Sequence, residues 1–177
     1  KASDVFAMYQ SVIGNRQVVP KELLWKDTPK AKVGDVDYLM SVIDWDLNVD
    51  VHFAEKHFMR PKPVRDLAAM QADGYIEHWV CYKSDAFSAK ELTVLPGRTV
   101  RVTDAAAYGF IMMQGNGTLN QWKIGTPTLI RYGQLTEDEF FVSETAAKRG
   151  VTITNLSDTD PIVMLKHFGP GNPDLVL

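Results

Sequence analysis

The feature that most constrains this chain is the rhythm of its second half. From Tyr75 onward, short runs rich in β-branched and aromatic residues alternate with turn residues. The runs cover 75–83, 87–95, 99–103, 108–114, 117–124, 128–132, 139–142, 151–155 and 162–168. Pro96-Gly97, Gly115-Asn116-Gly117, Gly125-Thr126-Pro127 and Asp158-Thr159-Asp160-Pro161 separate several of them. Many short strands at this spacing predict a sandwich or barrel. Gly115-Asn116-Gly117 reads as a tight hairpin turn.

The first part of the chain has a different texture. Residues 4–13 carry apolar positions at helical spacing, and Gly14-Asn15 follows as a stop. Val18-Val19 before Pro20 is extended by the steric rule for residues preceding proline. Residues 26–32 read as a solvated loop, 37–45 as a strand, and 48–63 as irregular. Residues 64–73 read as a helix stopped by Gly74. The expected organisation is an N-terminal extension over 1–74 packing on the barrel, a barrel over 75–168, and a surface tail over 169–177. The extension contributes short helices and extra strands.

Composition narrows the function classes. Of 177 residues, 45% are hydrophobic and 23% charged, which is the balance of a folded domain with a core. Nineteen Lys and Arg against 22 Asp and Glu leave a net charge of -3. That balance points to neither a nucleic-acid nor a membrane partner. The single cysteine, Cys81, excludes a disulfide within the chain and a multi-cysteine zinc cluster. A reducing, cytoplasmic setting is the expectation. The chain starts at Lys1 with no signal-peptide core, which leaves room for a longer protein around it.

Three stretches together resemble the cupin superfamily. Leu92-Thr93-Val94-Leu95-Pro96-Gly97 is similar to the strand and turn that open the first cupin motif. Phe110-Ile111-Met112-Met113-Gln114-Gly115-Asn116-Gly117 is similar to the strand and glycine turn that close it. Residues 135–142, followed by Gly150 and Asn155, resemble the second motif. The resemblance spans about 87–168 and implies an all-β, cupin-like double-stranded β-helix, the RmlC-like jelly-roll barrel. Trp79-Val80-Cys81-Tyr82 and Ala89-Lys90-Glu91-Leu92 resemble, more narrowly, the modules of mannose-6-phosphate isomerase-like cupin proteins.

The resemblance also implies where metal ligands would stand. Metal-binding cupins supply two His and a Glu from the first motif and a third His from the second. Those places fall here on Thr103, Ala105, Tyr108 and Val151. Ala and Val cannot ligate, and Thr is a poor ligand. The resemblance therefore implies the fold without the metal, and the expectation is no metal and no cofactor.

The remaining candidates are read from pattern. His52 and His57, with Glu55 between, superficially resemble a ligand cluster, but their context favours a surface or packing role. Strand alternation places His78 with Val80 and Glu77 with Trp79, and a buried, hydrogen-bonded His78 is expected. His167 is expected at an edge or interface, and Cys81 as a small buried hydrophobe. Tyr108, Phe110, Met112 and Gln114 share one strand face, which points into the barrel if Tyr108 takes the glutamate place. Tyr108 and Gln114 either orient a small polar ligand or satisfy each other. Thr103 joins them at the mouth, and Trp122 lines either the mouth or the outside. No GxSxG, phosphate loop or dinucleotide fingerprint is present.

Three functions follow as expectations. The first is a metal-free barrel binding a small polar molecule, a sugar or an organic acid, through Tyr108, Gln114, Thr103 and Trp122. It could serve as a module of a larger carbohydrate-isomerase-like protein. The second is a metal-dependent isomerase or oxygenase with non-standard ligands such as His78. The third is a structural dimerisation module with a filled barrel. Neither an activity nor its absence follows from the residues. A symmetric homodimer is expected from the resemblance, with the N-terminal lead-in adding a strand to a neighbour.

Overall fold

The computed structural model describes residues 12–13, 17–18, 22, 25–127 and 132–175. The chain divides into two compact units, Lys1–Phe58 and Met59–Leu177. In the first, β1 (Val12–Ile13) and β2 (Gln17–Val18) form a short antiparallel pair. The helix predicted over 4–13 otherwise lies outside the described residues, as does most of the strand predicted over 128–132. A 3-10 turn at Lys30–Lys32 precedes α1 (Val36–Ser41), α2 (Trp45–Asn48) and α3 (Phe53–His57).

Two of these helices overturn the strand predicted over 37–45. The Asp35 carboxylate accepts the Tyr38 N–H at 2.9 Å, and the Asp44 carboxylate accepts the Leu47 N–H at 3.0 Å. Each aspartate caps a helix start. That local capping outweighs the strand propensity of Val, Ile, Tyr and Trp in the segment. The region predicted as irregular, 48–63, carries α3. There His52 Nδ1 lies 3.0 Å from Glu55 Oε2, and the His57 ring stacks on Phe53.

The second unit begins with β3 (Lys62–Pro63) and α4 (Leu67–Asp73). The latter is the helix predicted over 64–73. Asp66 accepts the Ala69 N–H at 2.8 Å, and Gly74 ends the helix at the expected place. Then come β4 (Tyr75–Cys81), β5 (Ser88–Val94), β6 (Thr99–Val102), β7 (Tyr108–Gln114), β8 (Asn116–Leu119), β9 (Trp122–Gly125) and β10 (Glu139–Val142). A short helix that the pattern did not suggest, α5 (Glu144–Arg149), precedes β11 (Val151–Asn155) and β12 (Ile162–Phe168).

The strands pair antiparallel in two sheets, ordered β10-β7-β12-β5-β4-β3 and β6-β11-β8-β9. Counting β5 to β12 as one to eight, the sheets read 6-3-8-1 and 2-7-4-5. That is the order of an eight-stranded jelly roll. The fold is thus the all-β, cupin-like double-stranded β-helix, with β3 and β4 extending one sheet.

Two turn readings need correction. Gly115 is a corner between sheets and not a hairpin turn, because β7 and β8 belong to different sheets. Gly115 has a φ of +87°, and a Cβ there would stand 2.6 Å from Pro161 O. At Gly117, inside β8, a Cβ would overlap Thr154 O of the neighbouring strand. Both places therefore need glycine. The single run predicted over 117–124 is two strands, β8 and β9, folded back at Asn120, whose φ is +50°.

Strand alternation sets the core. Leu92, Val94, Phe110, Met112, Ile162, Met164 and Phe168 face inward from one sheet; Val100, Val102, Leu119, Val151 and Ile153 join them from the other. Asn155 ties one end of this core. Its side-chain amide donates to the carbonyls of Val94, Leu95 and Asp160 at 3.1, 3.2 and 2.9 Å, and its Oδ1 accepts the Ser157 N–H. In the tail, Gly169 to Gly171 are exposed while Asn172 turns inward.

Candidate functional site

On the inner face of the larger sheet, the register sets Lys166 of β12 directly opposite Lys90 of β5, with Trp79 of β4 next in the row. Like charges facing one another across a strand pair repel. Here a carboxylate separates them. Asp104, in the loop after β6, accepts from Lys90 Nζ through Oδ1 at 2.7 Å, and its Oδ2 lies 2.6 Å from Lys166 Nζ. The second contact lies outside hydrogen-bonding angles and acts as a Coulombic contact between buried charges. Lys166 Nζ also donates to Glu77 Oε1 at 2.6 Å.

This cluster sits in an aromatic box. Lys90 Nζ lies 4.5 Å from the Trp79 ring centre and 5.2 Å from that of Phe168. Lys166 Nζ lies 4.8 Å from the centre of the Tyr108 ring. Ring faces attract desolvated cations. The Lys166 and Asp104 side chains are both 0% exposed. Burial alone pushes the Lys166 pKa down; Glu77 and Asp104 outweigh it, so the ammonium titrates above its ordinary value. Burial pushes the Tyr108 phenol well above its ordinary value, with Lys166 opposing only in part. Tyr108 is a neutral phenol beside a permanent cation.

The backbone explains how Asp104 is aimed. Its N–H donates to Ala147 O of α5 at 3.2 Å. The next N–H, of Ala105, donates to Asp174 Oδ2 of the tail at 2.9 Å. That same oxygen is 3.5 Å from Lys90 Nζ. A cavity of about 340 Å³ opens beside this cluster, lined among others by Glu77, Trp79, Lys90, Arg101, Thr103 and Asp174. A larger hollow of about 640 Å³ lies beside β8 and β9. Its charged residues, Lys123 and Glu137, pair with one another at 3.0 Å at the surface, so it lacks buried charge.

The residues singled out from the sequence are divided by the fold. Tyr108 is buried against the ion cluster, and Thr103 lines the cavity. Gln114 is exposed at the far end of β7, and Trp122 is 52% exposed on β9; neither lines the cavity. A β-bulge between Val163 and Met164 shifts the register opposite Gln114, which departs from the inward face of Tyr108, Phe110 and Met112. His78, expected to be buried, is half-buried on the outer face, because Glu77 and Trp79 take the inner positions. Cys81 is half-buried, with Sγ 4.0 Å from Phe87 O.

The residues that carry the site, Glu77, Lys90, Asp104, Lys166 and Asp174, were missed. A signal was present. Lys90 is in phase with Leu92 and Val94, and Lys166 with Ile162, Met164 and Phe168. A lysine in phase with the apolar face of a strand must bury its ammonium or break the alternation.

The places where cupins hold a metal do not fit one here. Ala105 and Val151 offer no side-chain donor, Thr103 is exposed, and the Tyr108 phenol is held protonated. The nearest carboxylates, Glu77 and Asp104, are already neutralised by Lys166 and Lys90. Among the described residues, no group of three His, Cys, Asp or Glu side chains is arranged to hold a metal ion.

No protein-family model matches the chain, and no curated protein matches it. Solved structures overlap it in part. An RmlC-like cupin protein from Ralstonia eutropha superposes with a TM-score of 0.41 at 9% identity, covering 63% of this chain and 63% of that one. The polyketide cyclase RemF from Streptomyces resistomycificus gives 0.41 at 10% identity, covering 56% and 68%. A chain from the complex of Rhodobacter sphaeroides SigE with the anti-sigma ChrR gives 0.43 at 13% identity, covering 83% and 72%. The strand order, and not these overlaps, defines the fold. Among the described residues, no helix is long and apolar enough to cross a membrane.

Proposed function

We propose that the protein binds a small polar molecule, a sugar or an organic acid, in the cavity beside the Lys90–Asp104–Lys166–Glu77 cluster, without a metal. The observation that carries this reading is a cavity of about 340 Å³ that joins open space to buried, oriented charge. Its size suits a ligand of metabolite dimensions. Thr103 offers a hydroxyl, Trp79 an apolar wall, and Lys90 and Arg101 donors. Tyr108 acts from behind by holding Lys166 in place. The narrower likeness to mannose-6-phosphate isomerase-like proteins enters as a choice of first ligands, hexoses and hexose phosphates, and allows a role as a module of a larger protein. The test is a ligand panel of sugars, sugar phosphates and carboxylic acids followed by amide chemical shifts. Shifts clustered at Trp79, Lys90, Arg101 and Thr103 support the reading; shifts clustered elsewhere, or none, defeat it.

A second reading, homodimerisation, has its own observation. The outer face of the larger sheet exposes Phe141 at 75% and Met113 at 60%, with Ile111 beside them. Exposed apolar side chains grouped on one face mark contact surfaces. Sedimentation of the wild type and of Phe141→Glu with Met113→Glu tests it. A dimer lost in the double variant supports this reading, and a wild-type monomer at micromolar concentration ends it.

A further inference from the structure

Asp174 is unlike the other charged members of the cluster. Its side chain is 35% exposed, whereas that of Lys90 is 5% exposed. It arrives from the tail, after exposed Gly169-Pro170-Gly171, and not from a strand. Within the tail, its own N–H donates to Asn172 Oδ1 at 3.0 Å and the Leu175 N–H donates to Asn172 O at 3.1 Å, but its ties to the barrel are fewer. Those ties are the Ala105 N–H bond, the 3.5 Å contact with Lys90 and, two residues earlier, an Asn172 Nδ2 to Ser88 Oγ bond of 3.4 Å. Leu175 packs against the edge of the core. The strong bond of Lys90 goes to Asp104 at 2.7 Å, and of its two carboxylate partners only Asp174 lines the cavity with it.

Charge balance points the same way. Lys90 and Lys166 are matched by Glu77 and Asp104, and Arg65 by Asp73. Arg101, on the cavity wall, gives its guanidinium to the Arg149 carbonyl at 2.5 Å, and among the described residues no carboxylate pairs with it. With Asp174 in place the group is neutral; with Asp174 swung away it carries one positive charge facing the cavity. A monoanion would restore the balance.

We propose that the Asp174 carboxylate is a built-in stand-in for the carboxylate of a small organic acid, which binds by displacing it from Lys90 and the Ala105 N–H. This rests on the cavity reading above and deepens it to a ligand class and a tail latch. One carboxylate oxygen already accepts a backbone N–H at 2.9 Å and stands 3.5 Å from an ammonium, a setting that suits the carboxylate that would replace it. The latch competes with the ligand, so apparent affinity falls by the fraction of time the tail is open.

The experiment uses the full chain and acetate as the probe, with acetamide as its neutral isostere and glucose as a neutral polar control. Binding is followed by amide shifts of Ala105 and residues 172–175 in wild type, Asp174→Asn and Asp174→Ala. Acetate should bind Asp174→Ala about tenfold more tightly than wild type if the tail is closed about nine-tenths of the time. Asp174→Asn should fall between them, and acetamide should gain nothing. In wild type, acetate should move the Ala105 and Asp174 amides together. Arg101→Gln in the Asp174→Ala background, a change at an exposed position, should weaken acetate without unfolding the barrel. Equal acetate affinity in wild type and Asp174→Ala overturns the latch. Glucose shifting the cavity amides equally in both proteins, with acetate silent, overturns the latch and leaves the cavity reading standing. Silence from every probe in both proteins overturns both.

Discussion

The two halves of the barrel interior are held by different physics. At one end, Leu92, Val94, Ile153, Ile162 and Met164 pack as an apolar layer, and Asn155 ties the loops over it. At the other, two lysines face each other across paired strands and are held by Asp104 and Glu77 inside aromatic walls. The apolar end is stabilised by area removed from water, which depends on shape and little on pH. The charged end depends on every partner being present, because a buried charge without its counter-charge is heavily penalised. The candidate cavity therefore lies at the end of the barrel where stability is most conditional.

The largest effect should come from breaking the charged end. Lys166→Met leaves Glu77 buried without its cation and Asp104 with Lys90 alone, and should cost about 3–5 kcal/mol of stability, read by denaturant unfolding. Adding Glu77→Gln to Lys166→Met should recover much of the loss, because Lys90 still pairs with Asp104. A single variant as stable as wild type would show that the ammonium does not hold this end.

Alkaline titration should reach the same group more gently. The folded protein holds protons on Lys166 and Tyr108 that the unfolded chain releases near the ordinary values of 10.5 and 10.0. Their contribution is therefore complete at neutral pH and is lost as pH rises above about 10 toward the folded-state values. Stability measured against pH should fall in that window, and the fall should be smaller in Tyr108→Phe. A slope unchanged by that variant would contradict the assignment.

The apolar end should respond in small steps. Ile162→Val, at a fully buried position, should cost about 1 kcal/mol, equally at pH 7 and pH 10. A pH-dependent cost would mean that the two ends are coupled. The smallest effects should come from Gln114→Ala and Trp122→Ala, both exposed and outside the cavity lining. Ligand affinity should not change in either, and a loss in either would move the binding site away from Lys90.

The site was half legible before the fold was known. Alternation over residues 108–112 puts Tyr108 on the inner face beside the cluster, and the cupin resemblance puts Thr103 at the mouth. Gln114 leaves the inner face because the bulge puts an extra residue, Met113, into β7, which a period-two count does not reveal. The strand predicted over 37–45 failed because two aspartate caps, Asp35 and Asp44, act over three residues and override side-chain propensity.

What the sequence determined by itself is what local physics can decide: the alternation that makes β5, β11 and β12 two-faced strands, and the stop at Gly74. Only the tertiary structure decided which strands became neighbours. Lys166 and Glu77 are 89 residues apart, and Asp104 reaches both lysines from a loop after a strand of the opposite sheet. No period or motif encodes those meetings, because sheet order is settled by long-range pairing and by the requirement that a buried charge find its partner wherever the fold brings one.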